Sequence, residues 1–158
     1  RHPEYNLAAL PLHIASPFYA RYTKGMGYGE HIDDPVMGEK QRYRSDIAIT
    51  VFLNSPEEYE GGELNIQTPY GLQKIKYPAG DAVLYPASTR HQVSPITSGK
   101  RLVAVTWTQS LIRNNEQRNL LYQLSKSREK MLRKDPTSED TKIINNVYVN
   151  LVRMWSDV

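Results

Sequence analysis

The chain contains no cysteine. That excludes a disulfide framework, a thiolate metal centre and a cysteine nucleophile, and it fits a reducing compartment, so the cytoplasm is the expected location. No apolar run approaches the roughly 20 residues that span a bilayer, and no signal peptide is visible at the start. Residues 111–158 hold no glycine and a single proline, Pro136. A strong excess of one charge is also missing: the formal net charge is +3. The basic residues gather at Lys40, Arg42 and Arg44 and again between Lys126 and Lys134, and both groups read as solvated faces. A nucleic-acid surface would want a continuous basic stripe interleaved with aromatics, which is not there. Neither nucleic acid nor a membrane is therefore an expected partner. The first residue is Arg1 rather than Met, and an incomplete N-terminus is expected.

What is present suffices for one globular fold: 158 residues, of which 39% are hydrophobic. The texture changes near residue 110. Before it, short β-branched and aromatic runs predict strands at 12–14, 18–24, 47–54, 63–67, 71–76, 82–85, 91–94 and 102–108. Turn signals such as Gly61-Gly62, Pro78-Ala-Gly80 and Ser98-Gly99 separate them. Many short strands punctuated this way predict a sandwich or jelly roll. The nearly continuous apolar run from Ile47 to Leu53 reads as a central strand buried on both faces. After residue 110, Asn114 or Asn115 caps a first helix running to about Lys134, and Ser138 caps a second. Leu120, Leu121, Leu124, Met131 and Leu132 form one apolar stripe. Ile143, Ile144, Val147, Leu151, Met154 and Trp155 form the other, and both are expected to face the core. The fold class is thus mainly β with α. A jelly-roll domain is expected over 1–110, and a helical extension packed on it over 111–158.

Two segments carry the chemistry. His31 and Asp33 stand two positions apart, a spacing that puts both side chains on one face of an extended strand; Asp34 then points the other way. His91 lies 58 positions after Asp33 (91 − 33), and Arg101 follows across a turn, where a hairpin would set it beside His91 on an adjacent strand. Two imidazoles and one carboxylate make a facial ligand set that leaves metal positions open, the pattern of non-haem Fe(II) oxygenases. Arginine offers a planar fork for a carboxylate and stays charged when buried. A His-x-Asp triplet alone is common in unrelated chains; its combination with His91 and Arg101 is what gives it weight. His2 and His13 lack such a context. Tyr28, Tyr43, Arg42 and Arg44 are candidates for the mouth of the site.

At these residues the chain resembles the Fe(II)/2-oxoglutarate-dependent dioxygenases of the prolyl 4-hydroxylase type, and more closely the PKHD-type hydroxylases. The likeness rests on Arg21-Tyr22, Gly29-Glu-His31-Ile-Asp33, Leu53-Asn-Ser, Tyr59-Glu-Gly-Gly-Glu-Leu64, the stretch from Pro78 to Ser88, His91-Gln-Val-Ser-Pro-Ile-Thr97 and Gly99-Lys-Arg101. In the tail, Trp107-Thr-Gln-Ser-Leu-Ile-Arg113 and Tyr148-Val-Asn150 fit as well. The resemblance implies a double-stranded β-helix with Fe(II) on His31, Asp33 and His91. It further implies 2-oxoglutarate with its distal carboxylate on Arg101 and Tyr22 near the co-substrate, dioxygen as a reactant, and hydroxylation with release of succinate and CO2. Ascorbate is a further candidate cofactor, and a homo-oligomer a candidate assembly. The primary substrate, a peptidyl prolyl or lysyl side chain or a small molecule, is not legible. The segment from Asp34 to Ser45 is short and charged beside its relatives, and their N-terminal helical region has no visible counterpart. Two other readings stand beside this one. The first is a cupin-like module that binds a metal or a small acid without oxidising anything. The second is an interaction domain in which the three ligands are incidental.

Overall fold

The computed structural model describes residues 2–158. In chain order its elements are α1 (Pro3–Ala9), β1 (Pro11–Ile14), β2 (Phe18–Thr23), β3 (Tyr28–His31), β4 (Val36–Met37), β5 (Tyr43–Arg44), β6 (Ile47–Phe52), β7 (Tyr59–Gly61), β8 (Leu64–Thr68), β9 (Gly71–Ile75), β10 (Ala82–Pro86), β11 (His91–Val93), β12 (Ile96–Ser110), α2 (Asn115–Lys134) and α3 (Glu139–Trp155). Among these residues no helix is long and apolar enough to cross a membrane. The chain divides into two compact units. One is Ile14–Thr108, and the other joins the residues up to His13 with Gln109–Val158.

The first unit is a jelly roll of two antiparallel sheets. One sheet runs β2-β12-β6-β10, with β7 also pairing to β12; the other runs β3-β11-β8-β9. The long strand β12 organises the larger sheet. Its residues Arg101, Val103 and Val105 lie opposite Tyr22, Ala20 and Phe18 of β2. Its Val103, Val105 and Trp107 lie opposite Phe52, Thr50 and Ala48 of β6. On β10, Val83 and Tyr85 continue the rows from Thr50 and Ala48. Residues directly opposite in an antiparallel pair share a face, as do residues two apart. Tyr22, Arg101, Thr50, Trp107 and Tyr85 therefore look into one interior. The apolar core closes between the sheets, with Ala48, Tyr85 and Ala87 meeting Leu64 and Ile66. Strand β6 is buried at five of its six positions, as its unbroken apolar run predicts.

In the second unit α2 packs on α3 and α1 on α2. The Asn114 side chain accepts from the N–H groups of Glu116 and Gln117, and the Ser138 side chain accepts from Thr141 N–H, so both expected caps are made. The apolar stripes differ from expectation. Leu121 is fully buried, but Leu120, Ile143, Val147 and Met154 stay exposed. The sequence reading also missed α1 and the short strands β3, β4, β5 and β7. None of these exceeds seven residues, too short to display a hydrophobic period.

Candidate active site

A cavity of about 470 Å³ opens between the two sheets, lined among others by Tyr22, Tyr28, His31, Asp33, Tyr85, His91, Arg101 and Trp107. Every one of these residues belongs to the unit Ile14–Thr108. His31 ends β3 and His91 begins β11, and the two stand directly opposite in the antiparallel pairing of those strands. Their rings lie 4.3 Å apart between centroids. Asp33 follows two residues after His31, with its backbone N–H donating to Ala87 C=O at 3.3 Å. One carboxylate oxygen of Asp33 is 3.7 Å from His31 Nε2 and 3.8 Å from His91 Nε2. One ligand atom from each of the three residues falls within 4.8 Å of the others. Seven strands, β4 to β10, separate Asp33 from His91 along the chain, so only the folded chain assembles the group.

Three observations say the group fits a divalent cation. Asp33 Oδ2 is buried with no hydrogen-bond partner, an arrangement that ordinarily costs about 1–3 kcal/mol, and more for a charged group. His31 Nδ1 contacts Gly29 C=O at 2.8 Å, and His91 Nδ1 contacts Thr89 C=O at 2.9 Å. A carbonyl only accepts, so each Nδ1 carries the proton and each Nε2 presents its lone pair toward Asp33. Each imidazole is in addition locked in orientation by a backbone group two residues upstream. Sequence could not name those partners, because backbone carbonyls leave no residue-type signal.

Arg101 faces the same cavity from the other sheet. It sits on β12, whereas His91 on β11 pairs with β3 and β8. The expected hairpin neighbourhood of the two is thus corrected: the chain crosses between sheets at Ser94 and Pro95, and the pair meets across the interior. Arg101 is only 1% exposed, and its Nε–H has no partner. Tyr22 and Phe52 supply ring faces at 5.2 and 5.8 Å from the guanidinium carbon, worth about 0.5–2 kcal/mol each. Desolvation pulls the Arg101 pKa below its usual value, and the nearby phenols of Tyr59 and Tyr22 offset this only in part. No carboxylate of the described residues forms an ion pair with it within 4.0 Å. A buried, always-charged fork without an anion is a built receptor for one.

Other expected residues are placed differently. Tyr28 lines the cavity, its ring 4.5 Å from that of His31. Arg44 is committed to Asp46 at 2.7 Å, and the Tyr43 hydroxyl turns onto Met37 Sδ at 3.8 Å. Asp34 borders the cavity, and its carbonyl accepts from the Ser45 hydroxyl. His2 and His13 stand outside the cluster. Two contributors escaped sequence reading. Tyr85 packs edge-on to His91 at 5.0 Å. Gly62, at φ +68°, leaves room that a β-carbon would fill in collision with Ile96 Cδ1 and 3.1 Å from Arg101 Cδ. Gly62→Ala should therefore disturb the arginine stem, lowering stability by about 1–3 kcal/mol. Chemical denaturation of the two proteins checks this.

The buried phenols set the alkaline limit of the fold. Burial raises the Tyr85 pKa, with the Asp33 charge adding to it, and burial likewise raises Tyr59 and Tyr22. The folded chain keeps protons that the unfolded chain releases above about pH 10. Stability should be level in this respect below that pH and fall as pH rises past it. Melting temperatures between pH 8 and pH 11.5 test this, and Tyr85→Phe should shallow the decline.

Comparison with known proteins defines the class first. A family model described as the 2OG-Fe(II) oxygenase superfamily matches residues 17–109. One described as the PKHD-type hydroxylase C-terminal domain matches residues 115–157. A PKHD-type hydroxylase of Thioalkalivibrio sulfidiphilus is 50% identical over all of this chain and 71% of its own length. One of Stenotrophomonas maltophilia is 44% identical with the same coverage. The PKHD-type hydroxylase PiuC of Pseudomonas aeruginosa is 42% identical over 99% of this chain and 71% of its own. The chain belongs to the PKHD-type hydroxylases, Fe(II)/2-oxoglutarate-dependent enzymes of the oxygenase superfamily. Solved structures agree on the fold. A Pseudomonas putida prolyl-4-hydroxylase matches with TM-score 0.51 and 22% identity over 66% of this chain and 56% of its own. A prolyl hydroxylase from Trichoplax adhaerens, in complex with a hypoxia inducible factor peptide fragment, matches with TM-score 0.52 and 20% identity over 72% and 49%.

Proposed function

We propose that His31, Asp33 and His91 hold the Fe(II), that Arg101 binds the distal carboxylate of 2-oxoglutarate, and that Tyr22 flanks the co-substrate. The observation that carries this reading is the pairing of two unmet charges in one cavity. Asp33 Oδ2 is an orphaned acceptor beside two presented imidazole lone pairs, and Arg101 is an orphaned cation in the facing sheet. Fe(II), when bound, supplies the dioxygen chemistry that couples decarboxylation of 2-oxoglutarate to hydroxylation of the substrate.

The chain's own residues orient and shield. The Gly29 and Thr89 carbonyls accept from the two Nδ1–H groups and so aim both Nε2 atoms at the metal position. The Arg101 fork fixes the far end of the co-substrate, which sets where its 2-oxo acid end lies. Tyr22, Phe18, Val105 and Trp107 wall that space and limit water around the reacting groups. No protein general base is required, and no convincing acid–base pair lines the cavity. Residues 1–110 are read as the oxygenase domain and 111–158 as its helical extension, acting in the cytoplasm. Ascorbate serves as a candidate reductant that keeps the iron ferrous. The primary substrate is a prolyl or lysyl side chain presented on a peptide, or a compact small molecule, reaching the iron past Tyr28.

The test is succinate release from 2-oxoglutarate with Fe(II) in air. Wild type should release succinate and Asp33→Ala should not. A protein that binds metal and 2-oxoglutarate yet releases no succinate with or without peptide substrates would instead be a binding module on this barrel.

A further inference from the structure

Arg101 lies at a weak point of its sheet. On one side β12 pairs with β2, Arg101 opposite Tyr22. On the other side the pairing with β6 ends at Val103 opposite Phe52, and that with β7 begins only at Gly99 opposite Tyr59. Between them Leu53 N–H still donates to Leu102 C=O at 3.0 Å, but Lys100 C=O and Leu102 N–H, on either side of Arg101, meet no strand backbone on that side. Asn54, 7% exposed, fills the gap with its side chain. Its Nδ2 donates to Lys100 C=O at 2.8 Å, and its Oδ1 accepts from Leu102 N–H at 2.9 Å. The carboxamide thus stands in for a rung of the ladder, bonding the backbone on both sides of Arg101. Only a side chain with a donor and an acceptor on one planar group can do so. A Glu58 carboxylate oxygen, itself only an acceptor, lies 3.4 Å from the same Nδ2 and agrees with that orientation of the amide. Glu58 is held in turn by Ser55 N–H at 2.8 Å.

We propose that Asn54 is a positioning residue for co-substrate binding: by clamping the backbone on both sides of Arg101 it sets the depth and aim of the guanidinium. The inference rests on the reading of Arg101 as the 2-oxoglutarate carboxylate clamp. Asn54 touches neither metal nor co-substrate and acts only through the strand. A hydrogen-bonded rung of this kind, once lost, leaves the fork free to shift, and a misplaced binding group costs affinity steeply.

The experiment is calorimetric titration of Mn(II), then of 2-oxoglutarate, into wild type, Asn54→Leu, Arg101→Met and the double variant. Asn54→Leu should weaken 2-oxoglutarate by about tenfold and leave Mn(II) affinity unchanged. In the Arg101→Met background, Asn54→Leu should cost nothing further, since two residues acting through one group are not additive. Equal weakening of Mn(II) and 2-oxoglutarate, full additivity in the double variant, or wild-type 2-oxoglutarate binding by Asn54→Leu would each overturn the inference. If Arg101→Met itself binds 2-oxoglutarate as wild type does, the reading of Arg101 falls first and takes the inference with it. Amide hydrogen exchange on wild type keeps the test open should Asn54→Leu not fold. Leu102 N–H should exchange slowly, and slower still with Mn(II) and 2-oxoglutarate bound. Exchange there at the rate of an open strand, unmoved by 2-oxoglutarate, would equally overturn it.

Discussion

Replacing Arg101 by methionine is expected to weaken 2-oxoglutarate binding by at least about 30-fold while making the ligand-free protein more stable. Both effects come from the same fact. The guanidinium is taken out of water without an anion to meet it, so the fold carries its desolvation until the co-substrate arrives. Filling that space with an apolar side chain of similar volume is often neutral or stabilising by about 1–4 kcal/mol where buried charges are replaced. For a chain of this length, that corresponds to a melting temperature raised by about 2–4 °C per kcal/mol. Against this stand the ring contacts with Tyr22 and Phe52, which methionine partly retains as sulfur–aromatic contacts. On the binding side, truncating one partner of a buried charge pair costs about 2–5 kcal/mol, or roughly 30-fold to several thousand-fold in affinity. Arg101→Lys keeps the charge but loses the fork and should fall between. Calorimetric melting without ligand and titration with 2-oxoglutarate give the two readings. A methionine variant that melts well below wild type would mean the arginine is structural, and the role assigned to it would fail.

The same physics explains which parts of the molecule could be read from sequence. The run from Ile47 to Leu53 announced a central strand because both faces of β6 are buried and both had to be apolar. Asn114 and Ser138 were legible as caps because the first turn of a helix leaves N–H groups that only short polar side chains satisfy. His31, Asp33, His91 and Arg101 stood out because few other side chains combine ligand atoms or a carboxylate fork. Their neighbourhood did not stand out. The Gly29 and Thr89 carbonyls carry no residue identity, and the switch of sheets between β11 and β12 happens over two residues. Gly61-Gly62 looked like an ordinary turn, yet Gly62 makes space for the arginine stem. Asn54 lay in a stretch legible only as a family likeness, and its partners lie 46 and 48 positions away. Long-range polar clamps of that sort leave no local pattern. The helical stripes failed in the opposite way: their periodicity was real, but periodicity states which face is apolar and not whether anything covers it.

The second large effect is expected at Asp33. Its side chain is the sole carboxylate among the converging ligand atoms, and it lies nearly equidistant from the two imidazoles. Removing it leaves a neutral pair of imidazoles to hold a hard divalent cation, for which oxygen donors matter most. Loss of a partner that merely orients a metal ligand typically costs about 10–100-fold in affinity. Loss of the ligand itself should exceed that, so Asp33→Ala is expected to weaken Fe(II) or Mn(II) binding by more than about 100-fold and to stop succinate release. Asp33→Asn separates charge from shape. It retains an oxygen donor and the Ala87 backbone contact, so any loss beyond a small one belongs to the missing negative charge. Metal should also stabilise the wild-type fold, since whatever binds the folded chain alone raises the melting temperature in proportion to the logarithm of its concentration. In both variants that rise should shrink or vanish, while the metal-free melting temperature holds or increases, because the unpartnered Oδ2 is gone or neutralised. If instead Asp33→Ala kept the metal-dependent rise seen in wild type, the cation would be bound elsewhere, and His31 and His91 would need another explanation for facing each other across β3 and β11.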